Sequence, residues 1–537
     1  MSRRRIEPPW TISAAAAVVI LNQLVSSGDF IEAPIQILPS AVALELVGAL
    51  ALLGLAALLG ARKAGALCWL LALVFVAGFC VRALGLAVPW FFGRDLNVAI
   101  DARFVPVFAK LLADAMPAVE FGLLVASAIL VACAVLWLVR AMFGVAFRAL
   151  AAGAPGRLLP GFAAVIASAF ALPPAPSAPG PRPFLSADAA ATVARNVDNV
   201  LAAEGLRGAH RARIDAAQAA LPADADLAAL RGKHVVLIFV ESYGRITATN
   251  PDFARTLDPA RAKLADRLAA AGYTAASAAL VSPITGGGSW MAHGTLLTGA
   301  KLAAQDAYEV MLVSGAKTLA HRFAAAGWRS AAVMPRIDQP WPEGRLLGFE
   351  TIRIQPDLGY RGPRFAWESL PDQWVLERVA ALDLAGAPTF AKLVLASSHT
   401  PFERVPAIVE DWDALGDGSV YAGLPVREFP VRAGRVFDQD EAYVAAIDYV
   451  LDAVGRFADR VADKDVLFVV LGDHQPPLTT ARRTGDFAVP IHVFARDEAA
   501  VEPFLRRGYA AGIAVPDAAA PMEDFLSAFL ADFSTPK

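Results

Sequence analysis

The feature that most constrains this chain is a series of apolar segments in its first 174 residues. The segments cover residues 10–27, 40–61, 66–88, 120–143 and 157–174. The second, third and fourth are long enough to span about 30 Å of hydrocarbon as helices, while the first and last are shorter. Hydrophobic residues make up 56% of the chain and charged residues only 18%, which is outside the usual balance of soluble proteins. The sequence therefore predicts a transmembrane domain of about five helices over residues 1–174.

Basic residues mark alternate connections between these segments. They are Arg3, Arg4 and Arg5 before the first, Arg62 and Lys63 after the second, and Arg140 and Arg148 between the fourth and fifth. By the positive-inside rule these ends are cytoplasmic, so five spans place the rest of the chain outside. A cleaved signal peptide over the first segment is the alternative, and its removal would leave an even number of spans. We expect a multi-pass protein of the cell (inner) membrane whose later residues lie on the extracytoplasmic, periplasmic side.

The remainder of the chain has a different pattern. Residues 175–230 are predicted to form a linker, because the stretch 174–183 is proline-rich and a polar, alanine-rich helical stretch follows it. Over residues 231–537, β-branched runs alternate with amphipathic helices. The clearest runs are 234–240, 390–396 and 466–471, and the clearest helices are 254–271, 317–327 and 440–461. This alternation predicts an α/β doubly wound domain, in which ligands bind beyond the carboxyl ends of the strands.

Charge and cysteine content limit the partners and ligands. A formal net charge of -3 and a pI near 6.2 provide no basic field for a nucleic-acid backbone, so we expect no nucleic-acid partner. The three cysteines, Cys68, Cys80 and Cys133, all lie in the apolar segments. Any metal site in the later domain must therefore use oxygen and nitrogen ligands.

Four polar motifs lie where ligands are expected in such a sheet. Glu241 follows the run ending at residue 240, His399 follows the run 390–396, and Asp473-His474 follows the run 466–471. The fourth is the glycine run 286–288, which precedes Ser289 at the start of a predicted helix. A glycine run can be a plain flexible loop and a lone histidine can be a core residue. Four motifs at one edge of a sheet favour a functional site.

The residue types indicate a metal-assisted nucleophile. Glu241, Asp473, His474 and the Ser289 oxygen form an oxygen-rich set with one nitrogen, which suits Mn²⁺ or Zn²⁺ and also Mg²⁺. A metal at the Ser289 oxygen would lower its pKa and offset charge on a transferring phosphoryl group. The glycines allow close backbone approach, and amides at a helix start favour an anion. His293 shares the helical face of Ser289, and packing or capping is an equally good interpretation of it.

Three residues in the following loop are candidates for substrate binding beside His399. Arg336, Trp341 and Arg345 come after the strand-like run SAAVM, where a guanidinium could grip a phosphate. Arginines are also common in surface loops, so a bland role has equal weight. His399 is either structural or a donor to a substrate oxygen.

These motifs resemble the lipoteichoic acid synthase and phosphoglycerol transferase branch of the sulfatase and alkaline phosphatase superfamily. The resemblance covers about residues 231–495, and members of that branch similarly place five transmembrane helices before an extracytoplasmic catalytic domain. It implies that Glu241, Ser289, Asp473 and His474 bind one divalent metal, commonly manganese. It also implies that Ser289 is transiently esterified to a phosphoalcohol from a phospholipid, and that His399 contacts the transferred group.

The sequence departs from that branch in two places. Lipoteichoic acid synthases use threonine as the nucleophile, where this chain has Ser289, and serine is chemically adequate. The loop that carries a histidine and a closely spaced Trp-x-Arg in those enzymes has different spacing here, with Trp341 and Arg345 as the counterparts. A true sulfatase would need C/S-x-P-x-R at the nucleophile, whereas Ser289 is followed by Trp290-Met291-Ala292-His293.

Together these features predict a metal-dependent transferase. It would move phosphoglycerol or phosphoethanolamine from a membrane phospholipid to an envelope glycan or lipid-linked acceptor through a covalent Ser289 intermediate. A membrane-anchored phosphodiesterase or phosphatase with the same metal site is the alternative, because water can replace the acceptor alcohol. A transporter has little support, because the membrane helices lack the buried acidic or basic residues that mark an ion or substrate pathway. Glu45 is the most obvious exception.

Overall fold

The structure is a computed structural model of the chain. It describes residues 13–535 except 27–40, 62–63, 93–95, 103–104, 107–108, 110–112, 114–116, 172–184, 224, 430–438, 478–480 and 482–483. Several of the features used above to orient the chain lie outside the described residues. These are Arg3, Arg4, Arg5, Arg62, Lys63 and the proline-rich stretch 174–183.

The chain divides into two units by its internal contacts. The first comprises Met1–Trp90 and Arg94–Ala203, and the second comprises Phe91–Gly93 and Glu204–Lys537. The stretch predicted as a linker, 175–230, is thus shared between them, with one helix in each. The predicted domain limits remain a prediction.

The described part of the first unit is almost entirely helical. Its helices are Ala14–Ser26, Leu44–Leu58, Gly65–Phe92, Val98–Asp101, Ala118–Ala151, Leu159–Ala171 and Asp188–Leu201, with a 3₁₀ turn at Pro155–Leu158. A short parallel pair joins strand β1, Val42–Ala43, to strand β2, Leu185–Ser186. Apolar side chains such as Leu21, Leu46 and Phe143 form the core. Asn22 ties the first helix to β1, because its amide oxygen accepts from the Ala43 N–H at 2.8 Å.

Two helices of the described residues are long and apolar enough to cross a membrane. They are Gly65–Leu86, of 22 residues, and Ala118–Ala151, of 34 residues. Only 6% of the apolar window of the second is buried by protein, so its Leu, Ile and Val side chains form an exposed apolar surface. The segment 40–61, predicted to be long enough to span, forms a helix of only 15 residues. At 1.5 Å per residue that helix is shorter than the hydrocarbon layer.

The second unit is built on a mixed β-sheet. Its strands are β3 His234–Val240, β4 Thr274–Val281, β5 Arg329–Met334, β6 Thr351–Ile354, β7 Thr389–Leu395, β8 Arg404–Val405, β9 Arg427–Glu428, β10 Val466–Gly472, β11 Ala488–Ala495, β12 Ala510–Ala511 and β13 Ala519–Pro521. Within the described residues nine of them form one sheet in the order β12-β4-β11-β10-β3-β7-β5-β6, with β13 beside β4. Strands β8 and β9 pair separately.

The centre of the sheet is parallel and one side of it is antiparallel. Strands β10, β3, β7, β5 and β6 run parallel, as the buried apolar runs predict. Strand β11 is antiparallel to both β10 and β4. The α/β sheet expected from the sequence is therefore present, and it includes an antiparallel strand on this side. A largely apolar run such as β11, whose eight residues are all buried, indicates burial on both faces and contains no information on strand direction.

Helices cover both faces of this sheet. They are Ala203–Ala219, Ile246–Thr249, Pro251–Ala270, Ser289–Thr298, Gln305–Val313, Leu319–Ala325, Glu343–Leu346, Gln355–Leu358, Asp372–Leu382, Asp440–Arg460, Glu502–Arg506 and Asp524–Phe533. Short 3₁₀ turns lie at Ala228–Leu230, Ala366–Glu368, Trp412–Leu415, Ser419–Gly423 and Glu498–Ala500. Alternate residues of β3 point to two separate cores, since Val236 and Ile238 belong to one and Leu237 and Phe239 to the other. Burial on both faces leaves the carboxyl ends of the central strands as the place for polar side chains.

Candidate metal centre and nucleophile

Two neighbouring strands bring the first candidate residues together. Strand β10 pairs in parallel with β3 so that Gly472 lies opposite Val240. The next residues, Asp473 and Glu241, therefore leave the sheet side by side. Gly472 is required for this close approach, because a Cβ at this position would lie 1.9 Å from the carbonyl oxygen of Tyr243.

The turn after β3 is held in an uncommon conformation. Ser242 has a φ of 59°, in the left-handed region that non-glycine residues rarely adopt. This conformation points its N–H at Asp473, whose Oδ1 accepts at 2.8 Å, and the N–H of His474 donates to the same oxygen at 2.7 Å. Tyr443 donates its hydroxyl to the Ser242 carbonyl at 2.8 Å. One carboxylate oxygen of Asp473 is thus fixed by two backbone amides, and the other is left for a different partner.

The glycine run places Ser289 at the start of its helix. Gly286, Gly287 and Gly288 all have positive φ values, of 72°, 148° and 83°, which side chains would strain. The N–H of Gly286 donates to the carbonyl of Gln475 at 3.0 Å, so the loop is tied to the residue after His474. Ser289 begins the helix Ser289–Thr298 with no side-chain cap. The amide end of that helix is available to an anion.

The Ser289 hydroxyl, the Glu241 carboxylate and the His474 ring meet at one point. Ser289 Oγ lies 3.0 Å from Glu241 Oε2 and 3.1 Å from His474 Nε2. His474 Nε2 lies 3.2 Å from Glu241 Oε1 and 3.8 Å from Asp473 Oδ2. Glu241, Asp473 and His474 are buried, whereas Ser289 is half-buried and reaches the surface. The structure therefore brings together the four residues that the sequence predicts as ligands and nucleophile.

The three buried groups shift one another's pKa values. Burial raises the pKa of Asp473 to about 7, and the negative charge of Glu241 adds to that effect. Burial opposes the charged form of His474, but the Asp473 charge and the hydrogen bond with Glu241 raise its pKa to about 9. Burial would raise the pKa of Glu241, yet the hydrogen bond and charge of His474 hold it well below its ordinary value. A divalent cation here would compete with these protons.

The donor set fits a divalent metal ion. The side chain of Asp473 is fully buried, and its Oδ2 atom has no hydrogen-bond partner. An orphaned carboxylate oxygen costs free energy unless something compensates it. One ligand atom from each of Glu241, Asp473 and His474 lies within 4.8 Å of the other two. The Nδ1 atom of His474 hydrogen-bonds the Gln475 carbonyl at 2.9 Å, which turns Nε2 toward this point.

His399 lies in the loop that follows β7, next to this group. The charge of Glu241 acts on its ring, while burial lowers its pKa below the ordinary value. Its Nδ1 pairs with the Thr400 carbonyl. The preceding Ser398 donates its hydroxyl to the Glu241 carbonyl at 2.6 Å. The loop is thus attached directly to a candidate ligand.

Asp372 holds the same loop through hydrogen bonds to its backbone. It is buried at the start of the helix Asp372–Leu382, and its carboxylate accepts from the N–H groups of Ala396 at 2.8 Å and Ser397 at 3.1 Å. We expect Asp372→Ala to lower the free energy of unfolding by about 2 kcal/mol, because two buried donors lose their partner. Asp372→Asn keeps an acceptor and should cost less. Thermal unfolding of the purified protein measures both, and equal losses in the two variants would contradict this role.

The carboxyl group of Asp372 also predicts a pH dependence. Burial raises its pKa from 3.8 to about 7. Between these values the folded chain retains a proton that the unfolded chain releases, so this group's contribution to stability falls as pH rises from about 4 to about 7. Asp372→Asn should remove that slope. Parallel pH profiles of thermal stability for the wild type and Asp372→Asn would refute the assignment.

The candidate substrate residues differ in where the structure places them. Burial lowers the pKa of Arg336 to about 10, so its guanidinium stays charged at neutral pH, and the charges of Glu368 and Asp338 act on it more strongly than that of Glu241. Trp341 is half-buried, and its ring centre lies 5.9 Å from Lys392 Nζ. Arg345 is exposed and binds the carbonyls of Phe349 and Glu350 in its own loop. Within the described residues, neither Trp341 nor Arg345 contacts the four-residue group, so their predicted substrate role gains no support from the structure.

Some supporting residues could not be found from the sequence. Ser282 donates its hydroxyl to the Asp473 carbonyl at 2.6 Å, and Tyr443, Ser398 and Asp372 hold the surrounding turns. These residues are between 24 and 201 positions from their partners in the chain. No local motif marks such contacts. Lys392 is a signal in the sequence itself, because it is a charged residue within the apolar run of β7.

No protein-family model and no curated protein matches this sequence. The solved structures that resemble it include transferases of phosphoglycerol and phosphoethanolamine and a member of the alkaline phosphatase superfamily. They thus include members of the branch that the motifs resemble.

Three of these structures show the extent of the similarity. The lipoteichoic acid synthase of Listeria monocytogenes is 14% identical over 51% of this chain and 68% of its own, with a TM-score of 0.34. The phosphoglycerol transferase of Streptococcus pyogenes, in complex with sn-glycerol-1-phosphate, is 11% identical over 61% and 91%, with a TM-score of 0.36. The soluble domain of lipooligosaccharide phosphoethanolamine transferase A from Neisseria meningitidis is 13% identical over 56% and 89%, with a TM-score of 0.38. The chemistry proposed below rests on the residues of this chain.

Proposed function

We propose that this chain is a membrane-anchored, metal-dependent transferase. It moves phosphoglycerol or phosphoethanolamine from a membrane phospholipid to an envelope glycan or lipid-linked acceptor, with Ser289 as the nucleophile. The observation that carries this proposal is the meeting of the Ser289 hydroxyl with Glu241 and His474 at 3.0 and 3.1 Å, beside the unpartnered Oδ2 of Asp473.

Glu241, Asp473, His474 and Ser289 would hold one divalent ion, with Mn²⁺ as the expected metal and Zn²⁺ or Mg²⁺ as alternatives. When bound, the ion would lower the pKa of the Ser289 hydroxyl and offset negative charge on the phosphoryl group. Glu241 Oε2 accepts a hydrogen bond from Ser289 Oγ, which fixes the direction of the hydroxyl proton. His474 is held by the Gln475 carbonyl and cannot turn away.

The transfer occurs in two steps. In the first, Ser289 Oγ bonds to the phosphorus of the phospholipid head group, the bond from phosphorus to the diacylglycerol oxygen breaks, and the serine proton passes to the leaving oxygen. In the second, the oxygen of an acceptor hydroxyl bonds to that phosphorus, the bond from phosphorus to Ser289 Oγ breaks, and the acceptor's proton passes to Ser289 Oγ. The uncapped amide end of the helix Ser289–Thr298 and the charged Arg336 guanidinium favour the anionic group. His399 would donate to an oxygen of the transferred group.

Membrane anchoring is part of the proposal. The helices Gly65–Leu86 and Ala118–Ala151 would hold the chain in the cell membrane, as two of about five spans, with the catalytic domain on the periplasmic side. A tether to the bilayer raises the effective concentration of a lipid donor, an advantage that a phosphatase acting on soluble esters would not need. The anchor therefore favours the transferase over the hydrolase.

The donor can be identified by covalent labelling. We expect purified protein in detergent with Mn²⁺ to retain label from either head-group-labelled phosphatidylglycerol or head-group-labelled phosphatidylethanolamine, and peptide mass spectrometry to place that label on Ser289. Protein treated with a chelator is the control and should remain unlabelled. Metal-loaded protein that retains no label from either lipid, yet hydrolyses a simple phosphodiester, would contradict head-group transfer and support the hydrolase.

A further inference from the structure

A second group of buried polar side chains lies behind the candidate metal centre. Lys392 is the fourth residue of β7, and only 1% of it is exposed, which is rare for a lysine. Its Nζ lies 3.4 Å from His293 Nδ1 and 3.1 Å from Met334 Sδ. The rings of Phe239 and Trp341 have their centres 5.6 and 5.9 Å from the same atom. No carboxylate pairs with Lys392 among the hydrogen bonds and ion pairs of the described residues.

His293 connects this lysine to the metal centre. It lies one helical turn after Ser289, is 6% exposed, and packs its ring against Phe239 with centres 4.1 Å apart. Its Nε2 is buried without a hydrogen-bond partner and lies 4.0 Å from Asp473 Oδ2. That oxygen accepts no hydrogen bond, and its other nitrogen neighbour, His474 Nε2, lies 3.8 Å away. Two orphaned buried atoms of complementary type therefore face each other, which is uncommon unless the pair has a role.

The chemistry of the two ring nitrogens gives the direction of the arrangement. In its ammonium form Lys392 has donors only, so it donates to Nδ1, and the ring proton is then on Nε2. Nε2 then carries a proton 4.0 Å from Asp473 Oδ2, the carboxylate oxygen that the backbone amides do not contact, and an approach of about 1 Å would close a hydrogen bond. His293 is not within ligand distance of the whole set, since the group that could share one ion comprises Glu241, Asp473 and His474. It is thus placed to act on a ligand and not on the ion.

We propose that His293, with its tautomer set by Lys392, is a positioning residue that orients the Asp473 carboxylate for metal binding. The proposal rests on the metal site of the proposed function and extends it. Outer residues that hydrogen-bond a metal ligand typically change metal affinity by 10- to 100-fold when they are replaced. His293 and Lys392 would have this role through one line of contacts that runs from β7 to the ligand.

Metal titration of the full-length protein in detergent tests this inference without reference to turnover. We expect His293→Leu to raise the Kd for Mn²⁺ by about 10- to 100-fold, measured by competition with a chromophoric chelator. His293→Gln, which keeps an N–H donor, should recover much of the affinity. Lys392→Met removes the donor to Nδ1 while leaving every candidate ligand in place, and should give an intermediate Kd.

A structural role for His293 would have a different result. If the ring only fills space against Phe239, His293→Leu would change thermal stability and leave the Kd of the folded protein unchanged, and that outcome overturns the inference. His321→Leu is the matched control, because His321 is a half-buried helix histidine bonded to Thr318, and we expect wild-type Mn²⁺ affinity from it. A wild-type protein that binds no divalent metal would overturn the metal site itself, which distinguishes the two failures.

Discussion

Ser289→Ala is expected to abolish covalent labelling by the lipid donor and to reduce kcat for head-group transfer by about 10³-fold or more. The hydroxyl of Ser289 is the half-buried nucleophilic group that the structure places against Glu241 and His474, at 3.0 and 3.1 Å. Without it no phosphoserine ester can form, and only positioning and charge stabilisation remain. In a serine protease, loss of the nucleophile removes most of the catalytic rate.

The conservative variant separates chemistry from folding. Ser289→Thr retains an oxygen at the same position, and threonine is the nucleophile of the enzymes that the sequence resembles, so we expect measurable labelling and turnover. Ser314→Ala is the matched control, since Ser314 is a half-buried serine that ends the helix Gln305–Val313 and bonds the Met311 carbonyl. It should label as the wild type does. Turnover at wild-type rate by Ser289→Ala, at saturating Mn²⁺, would exclude Ser289 as the nucleophile.

Gly472→Ala is expected to destabilise the second unit strongly although it adds only one methyl group. A Cβ at residue 472 would lie 1.9 Å from the Tyr243 carbonyl oxygen and 2.8 Å from its carbon. Backbone atoms cannot rotate aside as a flexible side chain can, so the turn after β3 must move. That turn contains Ser242, whose N–H fixes Asp473 Oδ1. We expect a loss of about 3 kcal/mol in the free energy of unfolding, together with weaker Mn²⁺ binding.

Two measurements and one control test this prediction. Thermal unfolding in detergent reports the stability, and chelator competition reports the Kd for Mn²⁺. Gly208→Ala is the matched control, because Gly208 lies in the helix Ala203–Ala219 with open space where its Cβ would be. In that position alanine should stabilise the helix by up to about 1 kcal/mol. Gly472→Ala protein with wild-type stability and metal affinity would show that β3 and β10 do not need their close approach.

The comparison of sequence and structure is clearest at the ends of the central strands. The runs 234–240 and 466–471 are strands in the structure at 234–240 and 466–472. Because parallel strands end at one edge, the rule that ligands bind there was enough to group Glu241, Asp473 and His474 without coordinates. Ser289 was found by its glycine run, which indicates a backbone that only glycine adopts easily. These are local signals, and each was readable within a few residues.

Other features depended on contacts between distant parts of the chain. The helix Leu44–Leu58 has only 15 residues, which is shorter than the sequence predicts. The antiparallel direction of β11 and the binding of Arg345 to carbonyls of its own loop were not predicted. Apolar periodicity reports which faces are buried, but strand direction depends on which neighbour pairs with the strand. An arginine motif likewise does not reveal whether backbone carbonyls nearby already bind the guanidinium.

The sequence by itself determined an apolar helical region, an α/β domain and the four residues Glu241, Ser289, Asp473 and His474. It could do so because burial pattern, turn chemistry and ligand type are properties of short segments. Only the tertiary structure decided which oxygen of Asp473 accepts no hydrogen bond, that Asp372 holds the His399 loop, and that Lys392 and His293 lie behind the candidate metal centre. Each of these contacts joins residues that are distant in the sequence, such as Lys392 and His293, which are 99 positions apart. Such contacts form only when the sheet assembles.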